Sequence, residues 1–206
     1  MEHITSLILA AGKGTRMKSK LPKVLHRVGG KPMVERVLDT VKELGTDRNV
    51  VIIGFGGEEV HNYLGDAAEF VVQEEQNGTG HAVKQAQPLL GDYKGTIILL
   101  CGDTPLVTAE TLAALVKEHK ETGAAATVLT ASFDDPTGYG RIIRDAEGRV
   151  VRIVEQKDGK PEELAVHEIN TGMYAFDSEK LWPCLSQLSS DNAQGELYIT
   201  DVVGIL

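Results

Sequence analysis

The sequence predicts an α/β protein of the Rossmann-like, doubly wound type, with a mainly parallel sheet and a β-rich lobe. In the first 121 residues, short apolar runs alternate four times with helical patterns. Those runs are apolar throughout, as expected of strands that are covered by helices on both faces. The second half instead carries strand patterns that are joined by turns. Such alternation favours a parallel sheet with a ligand site at the carboxyl ends of its strands.

The first predicted strand, residues 4–9, runs directly into a glycine-rich loop. A helix is expected next, because apolar residues recur at helical spacing over 33–44, with Pro32 near the first turn and Gly45 at the end. The other predicted strands of this half are 50–53, 70–72 and 96–100, and the other helices are 58–64, 80–90 and 108–121, the last with Thr108 as its cap.

The second half is predicted to form a β-rich lobe built onto the same sheet, so that residues 1–206 make one domain. The polar segment 157–163 is expected to be a mobile loop, and the chain stops on apolar residues without a helix stop. We therefore expect this domain to be truncated within a longer protein. The predicted strands are 124–131, 140–144, 149–155 and 168–176, with a hairpin turn at 145–148, and the predicted late helices are 181–188 and 197–206.

Composition and charge exclude several classes of protein. The 206 residues are 42% hydrophobic and 25% charged, which is typical of a globular chain and excludes a disordered one. Lys and Arg total 21 against 30 Asp and Glu, a net charge of −9, which disfavours nucleic acid or an anionic membrane as a partner. No apolar run is long enough to span a membrane, and no signal segment is seen, so we expect a cytoplasmic protein. Cys101 and Cys184 are far apart in sequence, which indicates a reducing compartment and no zinc site.

The loop after the first strand is a candidate phosphate-binding loop. Gly12 and Gly14 allow backbone N–H groups to surround an anion, and Arg16 and Lys23 add two cations. A dinucleotide-binding fingerprint would need a third glycine at Met17, so a dehydrogenase is the least favoured alternative. The spacing does not fit a Walker A loop either. A plain strand–turn with a solvated basic patch remains the structural alternative.

Several further segments carry polar residues suited to binding. Asp103 follows an apolar strand at the predicted carboxyl edge, where it could hold Mg²⁺ or merely cap the helix at Thr108. Gln73 and Gln76 carry amides, which can both donate and accept hydrogen bonds and so could bind a ligand, or could simply lie on the surface. His81 is interpreted as a helix-start residue and not as a catalytic base.

Six spaced motifs together resemble one family. The segments GKGTRM…PK, QEEQNGTGHA, GDTPL, GYGRI, EINTG and NAQGE…YITD occur in the order found in sugar-phosphate nucleotidyltransferases. Among these, the chain is most similar to the N-terminal uridylyltransferase region of the bacterial bifunctional enzymes that make UDP-N-acetylglucosamine. The resemblance covers nearly the whole chain, but the acetyltransferase β-helix of those enzymes is absent.

The resemblance implies a role for each site residue. It makes Arg16 and Lys23 catalytic and Asp103 the Mg²⁺ ligand, with a second ligand, an Asn, lying beyond the end of this chain. It assigns Gly140, Glu155, Asn170 and Thr200 to the sugar; without it, Glu155 would be a rim charge. The remaining substrate-binding residues that it implies are Leu9, Ala10, Ala11, Gly12, Gly14, Gln73, Gln76, Gly78, Thr79, Cys101 and Gly102, although Cys101 could also be simple packing.

The implied reaction joins UTP and N-acetylglucosamine 1-phosphate to give UDP-N-acetylglucosamine and pyrophosphate, for cell-wall precursor synthesis. Other bases or sugars, or a nucleotide-binding fragment with little turnover, are the alternatives. Because the second metal ligand is not present, we expect a slower enzyme than a longer chain would be. The family's trimers depend largely on the absent β-helix.

Overall fold

The computed structural model describes residues 3–206 as one central sheet with helices on both faces. The strands are β1 Ile4–Ala10, β2 Arg27–Val28, β3 Lys31–Pro32, β4 Arg48–Ile53, β5 Glu69–Val72, β6 Thr96–Cys101, β7 Ala126–Ser132, β8 Arg141–Arg144, β9 Val150–Val154 and β10 Glu168–Asp177. The helices are α1 Met33–Leu44, α2 Gly57–Leu64, α3 Thr79–Gln85, α4 Gln87–Leu90, α5 Ala109–Thr122, α6 Pro161–Leu164, α7 Ser178–Leu185 and α8 Val202–Ile205.

The sheet has eight strands and confirms the predicted fold class. Strands β5, β4, β1 and β6 lie side by side and are parallel. Strand β10 then pairs antiparallel with β6, β7 and β8, and β9 pairs antiparallel with β8. The β-rich half therefore extends the same sheet, as predicted. Leu9 lies opposite both Ile52 and Cys101, so the chain leaves β1 and β6 at neighbouring points of one edge.

Alternating side chains of each strand feed two separate apolar cores. Leu7 and Ile52 point into the core that α3, α4 and α7 cover. Ile8 and Val51 point into the core that α1, α2 and α5 cover. All four are fully buried, which explains why these strands are apolar throughout.

The helix boundaries that rested on capping chemistry are confirmed. The Thr108 hydroxyl accepts a hydrogen bond from the Thr111 N–H at 3.2 Å and caps α5. Gly45 ends α1 in the left-handed region at φ 87°, and its N–H donates to carbonyls of the last turn.

Four predicted elements differ from the structure. The late helix predicted over 181–188 is Ser178–Leu185, because the Asp177 side chain caps it three residues earlier. The single helix predicted over 80–90 is two short helices, because Pro88 has no N–H to donate to the Lys84 carbonyl. The predicted loop 157–163 overlaps the helical turn α6, where the buried carboxylate of Glu163 pairs with Arg152. The helix predicted over 197–206 begins only with a 3-10 turn at Ile199–Asp201 that leads into α8. The small β2–β3 hairpin was not predicted.

Candidate functional site

A cavity of about 600 Å³ opens at the carboxyl ends of the parallel strands. Its wall is formed where the chain leaves β1, β5 and β6, together with the start of α3. This is the edge at which open α/β sheets bind ligands. Its lining residues are Leu9, Ala10, Ala11, Gly12, Lys13, Lys23, Val24, Gln73, Gln76, Gly78, Thr79, Ala82, Cys101, Asp103 and Glu196.

The two glycines of the loop after β1 serve different purposes. Gly14 lies in the left-handed region at φ 57°, and a Cβ there would come within 2.6 Å of the Lys23 Cβ. Its absent side chain therefore lets the loop fold against Lys23. Gly12 lines the cavity, and a Cβ added to it would meet no protein atom within 4 Å. The space above its backbone is open to a ligand.

The cations of this loop are not placed alike. Lys23 lines the cavity at the start of the 3-10 turn Lys23–Leu25, whereas Arg16 sits on the exposed turn Thr15–Met17 outside the lining. Lys13, between the two glycines, lines the cavity and was not singled out from the sequence. Its position in a glycine-flanked loop was the signal that could have identified it.

Asp103 faces the cavity from the turn after β6. The Gly102 N–H donates to the Leu9 carbonyl at 2.8 Å, and the Thr104 hydroxyl donates to the Cys101 carbonyl at 2.7 Å. These bonds fix the turn that presents Asp103. The alternative role as a helix cap is wrong, because Thr108 caps α5 itself.

The Asp103 carboxylate forms an ion pair with the Lys23 ammonium, and both side chains are partly exposed. Among residues 3–206, no group of three or more His, Cys, Asp or Glu side chains could hold a metal. One carboxylate at the edge of this cavity suits Mg²⁺, which takes its other ligands from water and phosphate oxygens. The donor set therefore fits a magnesium ion that binds together with a nucleotide.

Cys101 lines this cavity and contacts Gly172 of β10, in the β-rich half. Burial raises the pKa of its thiol to about 12, so the group stays protonated. Its Sγ donates a weak hydrogen bond to the Gly172 carbonyl at 3.9 Å, and a Cβ on Gly172 would lie 3.2 Å from that sulfur. Cys101 is thus a cavity-lining thiol that acts through its shape.

Gln73 and Gln76 lie on adjacent parts of the cavity wall. Gln73 is only 3% exposed, and its amide nitrogen lies 3.1 Å from both the Gly78 carbonyl and the His81 Nδ1. The Gln76 amide nitrogen donates to the Gln73 carbonyl at 3.3 Å. The surface alternative is therefore wrong for Gln73, which is buried.

The glycines after Gln76 are approached by the protein's own backbone. A Cβ on Gly78, at φ 104°, would lie 2.4 Å from the Leu197 carbonyl, and the Gly80 N–H donates to that carbonyl at 2.7 Å. The Thr79 hydroxyl accepts from the Ile199 N–H at 3.0 Å. This seam brings Glu196 into the cavity wall, a residue not singled out from the sequence.

Gly140, Glu155, Asn170 and Thr200 form a second cluster, outside that lining. The Asn170 N–H donates to the Gly140 carbonyl at 2.9 Å, and the Thr200 hydroxyl donates to Glu155 at 3.2 Å. A Cβ on Gly140 would lie 3.5 Å from both Glu155 and Asn170. The Asn170 side-chain oxygen accepts from the Gly172 N–H at 2.9 Å, so the cluster adjoins Cys101 and the cavity.

The electrostatics of this cluster are unusual. Burial raises the pKa of Glu155, and nearby Asp158 and Asp201 raise it further, although the hydrogen bond from Thr200 opposes this. Burial likewise raises the pKa of Asp201. Carboxyl groups in this position could hydrogen-bond the hydroxyls of a neutral polyol.

A Rossmann-like sheet with a cavity of about 600 Å³ and a Lys–Asp pair at its carboxyl edge is typical of the nucleotide-binding class of α/β proteins. Residues 5–206 match the model of the nucleotidyl transferase family, and the chain belongs to that family. Nucleotidyl transferases generally use a divalent metal.

Two curated relatives, each called bifunctional protein GlmU, match the chain along its whole length. The relative from Exiguobacterium sibiricum is 57% identical over 205 residues, and that from Bacillus cereus is 55% identical over 206. In both cases the match covers 100% of this chain but 45% of the relative, in its N-terminal part. The chain thus spans less than half the length of these relatives.

Two solved structures share the fold. A UDP-glucose pyrophosphorylase complexed with UDP-glucose has a TM-score of 0.78 at 18% identity, over 98% of this chain and 86% of that one. A putative glucose-1-phosphate thymidylyltransferase from Bacillus anthracis, in complex with a sucrose, has a TM-score of 0.79 at 25% identity, over 97% of this chain and 80% of that one.

Among residues 3–206, none of the helices combines the length and the apolar character that a membrane span requires.

Proposed function

We propose that this chain transfers a uridylyl group from UTP to N-acetylglucosamine 1-phosphate, giving UDP-N-acetylglucosamine and pyrophosphate. The observation that carries the proposal is one cavity lined by the loop after β1, by Lys23 and Asp103, and by the Gln73 and Gln76 amides. The adjoining cluster around Glu155 and Asn170 offers polar groups for a sugar. The full-length similarity to the N-terminal part of bifunctional proteins supports the same assignment.

Within this proposal, the nucleotide lies with its base on the Gln73 side and its phosphates over Gly12. Uracil offers an N3–H between two carbonyl oxygens, and an amide can both donate and accept. The open face of Gly12 allows the phosphates to approach the backbone closely. The product would serve the synthesis of cell-wall precursors.

The chemistry needs no general base from the protein. The second pKa of a phosphate monoester is about 6, so the attacking sugar-phosphate oxygen is already ionised at neutral pH. Catalysis is then alignment for in-line attack on the α-phosphorus together with neutralisation of charge.

The protein's own residues supply most of this. Lys23 faces the phosphates and offsets the negative charge that builds on the departing pyrophosphate. Arg16 lies on the exposed neighbouring turn, from which its long side chain would reach toward the leaving group. Asp103 would hold Mg²⁺, and that ion when bound supplies charge neutralisation at the phosphate oxygens. If Asp103 held the metal, its ion pair with Lys23 would be broken, and the Lys23 ammonium would be free to bind the nucleotide.

A substrate panel tests the proposal. The chain is mixed with each of UTP, CTP, ATP and dTTP, with Mg²⁺, and with N-acetylglucosamine, glucose or glucosamine 1-phosphate in turn, and pyrophosphate release is measured. We expect the fastest release with UTP and N-acetylglucosamine 1-phosphate. A faster rate with another pair would reassign the substrates, and UTP binding without any release would identify a nucleotide-binding fragment.

A further inference from the structure

We infer that His81 is a positioning residue: it sets the orientation of the Gln73 amide and thereby which base the cavity prefers. The inference rests on the proposed function, because it concerns how a uracil would be distinguished from a cytosine. His81 is half-buried on α3 and is not among the lining residues of the nucleotide cavity. Any effect that it has on the base therefore passes through Gln73.

The orientation of the Gln73 amide is determined by its surroundings. A backbone carbonyl can only accept, so the atom 3.1 Å from the Gly78 carbonyl must be the NH₂ group of Gln73. The second hydrogen of that group points to His81 Nδ1, also at 3.1 Å. With both hydrogens used in this way, the amide oxygen is left for the cavity that Gln73 lines.

This arrangement requires one tautomer of His81. Nδ1 must carry a lone pair to accept from Gln73, so in the neutral ring the proton is on Nε2. On the other side of the ring, the Gln85 amide nitrogen lies 3.0 Å from Nε2 and 3.2 Å from the His81 carbonyl. A neutral imidazole accepts at one nitrogen only, so the two glutamines compete for a single lone pair.

The outcome of that competition decides what the cavity presents. If Nδ1 accepts, Gln73 offers its oxygen, which suits the N3–H donor of uracil. If Nδ1 carries the proton, Gln73 must turn its oxygen to the ring and give up the Gly78 bond. Its NH₂ group then faces the cavity, which suits the N3 acceptor of cytosine. The Gly78 carbonyl favours the first state, and His81 is the group that completes it.

Binding of UTP and CTP in the presence of Mg²⁺ tests this by calorimetry, with the ratio of the two dissociation constants as the readout. His81→Leu removes the acceptor, and we expect the preference for UTP to fall about tenfold, the size of one mismatched buried hydrogen bond. His81→Asn places an amide oxygen near the Nδ1 position, and the ratio should stay within about threefold of the unmodified chain. Lys84→Leu, at an exposed residue of the same helix that contacts neither Gln73 nor the lining of the nucleotide cavity, is the matched control and should leave the ratio unchanged.

The outcomes separate the inference from the proposed function. A His81→Leu chain that keeps the original ratio, or an Asn variant that loses as much as the Leu variant, would overturn the role of His81. Equal affinity for UTP and CTP in the unmodified chain would instead overturn the uridine assignment on which the inference rests. Melting curves of each variant distinguish a lost preference from a lost fold.

Discussion

The Lys23 ammonium forms an ion pair with the Asp103 carboxylate, and both residues line the cavity at the carboxyl ends of the parallel strands. One residue follows β1 by a loop and the other follows β6, and the parallel register of those strands brings them together. The proposed phosphate clamp and the proposed metal ligand therefore neutralise each other when no substrate is bound. A nucleotide with its metal would replace one internal ion pair by two interactions with the ligand.

Lys23→Ala should abolish most turnover and leave the fold intact. Partly exposed ion pairs contribute only about 0–1 kcal/mol to stability. A lost contact to the transition-state phosphates costs about 2–4 kcal/mol. Pyrophosphate release and melting temperature are measured on the same preparations. Lys31→Ala, which breaks the exposed Lys31–Asp39 pair away from the cavity, is the control and should keep full activity. Parallel losses in both variants would contradict the role of Lys23.

Asp103→Asn should raise the Mg²⁺ concentration needed for half-maximal turnover by about tenfold or more, since an amide is a poorer ligand than a carboxylate. A Mg²⁺ titration of pyrophosphate release measures this. Asp39→Asn serves as the control, because Asp39 is an exposed carboxylate paired with a lysine elsewhere. An unchanged Mg²⁺ requirement in Asp103→Asn would place the metal on other groups.

The two loop glycines give a matched pair of substitutions. Gly14→Ala forces a left-handed alanine against Lys23, so we expect a stability loss of about 1–2 kcal/mol and a lower melting temperature. Gly12→Ala meets no protein atom, so its stability should be unchanged while nucleotide affinity falls, because the methyl group enters the space proposed for the phosphates. Denaturation and calorimetry read the two effects separately. Normal affinity in Gly12→Ala would show that the phosphates lie elsewhere.

Two glutamates should contribute to folding stability with opposite dependence on pH. Burial raises the pKa of Glu155, so the unfolded chain releases this proton at a lower pH than the folded chain does. The contribution of Glu155 therefore becomes destabilising as pH rises from the ordinary carboxylate pKa of about 4.3 through the raised value. Glu155→Gln should then be more stable than the unmodified chain at pH 7, and this difference should vanish near pH 4.

Glu168 is the comparison. Its hydrogen-bonded pair with Arg144 lowers its pKa, so its stabilisation is present above the ordinary carboxylate pKa and is lost as pH falls through the lowered value. Glu168→Gln should cost about 0.2–1 kcal/mol at pH 7 and less at low pH. Denaturant unfolding of both variants at pH 4 and pH 7 measures this. Like-signed changes in the two variants would contradict the assignment.

Sequence reasoning predicted the elements that depend on local chemistry. The apolar strands, the Thr108 cap and the Gly45 stop are each encoded in a few adjacent residues. Pro88 also signals a helix break in the sequence. Apolar residues keep helical spacing across it, however, so a single helix was predicted where there are two.

The parts that sequence reasoning did not predict depend on contacts between distant segments. Glu196 reaches the cavity only because the Leu197 backbone packs on Gly78 and Gly80, more than a hundred residues earlier. The same packing explains why residues 78 and 80 are glycines, because a Cβ at either position would lie within 3.0 Å of the Leu197 carbonyl. The link between His81 and Gln73 likewise needs the folded geometry, since a histidine at a helix start has no such signature.

The fate of the α-phosphate tests the central claim most directly. The chain is incubated with Mg²⁺, N-acetylglucosamine 1-phosphate and UTP labelled at the α-phosphorus, and the products are separated. Attack of the sugar phosphate on that phosphorus predicts that all of the transferred label is in UDP-N-acetylglucosamine, with unlabelled pyrophosphate released in equal amount and none formed without the sugar phosphate. Label in UMP, or pyrophosphate release that does not depend on the sugar phosphate, would contradict uridylyl transfer.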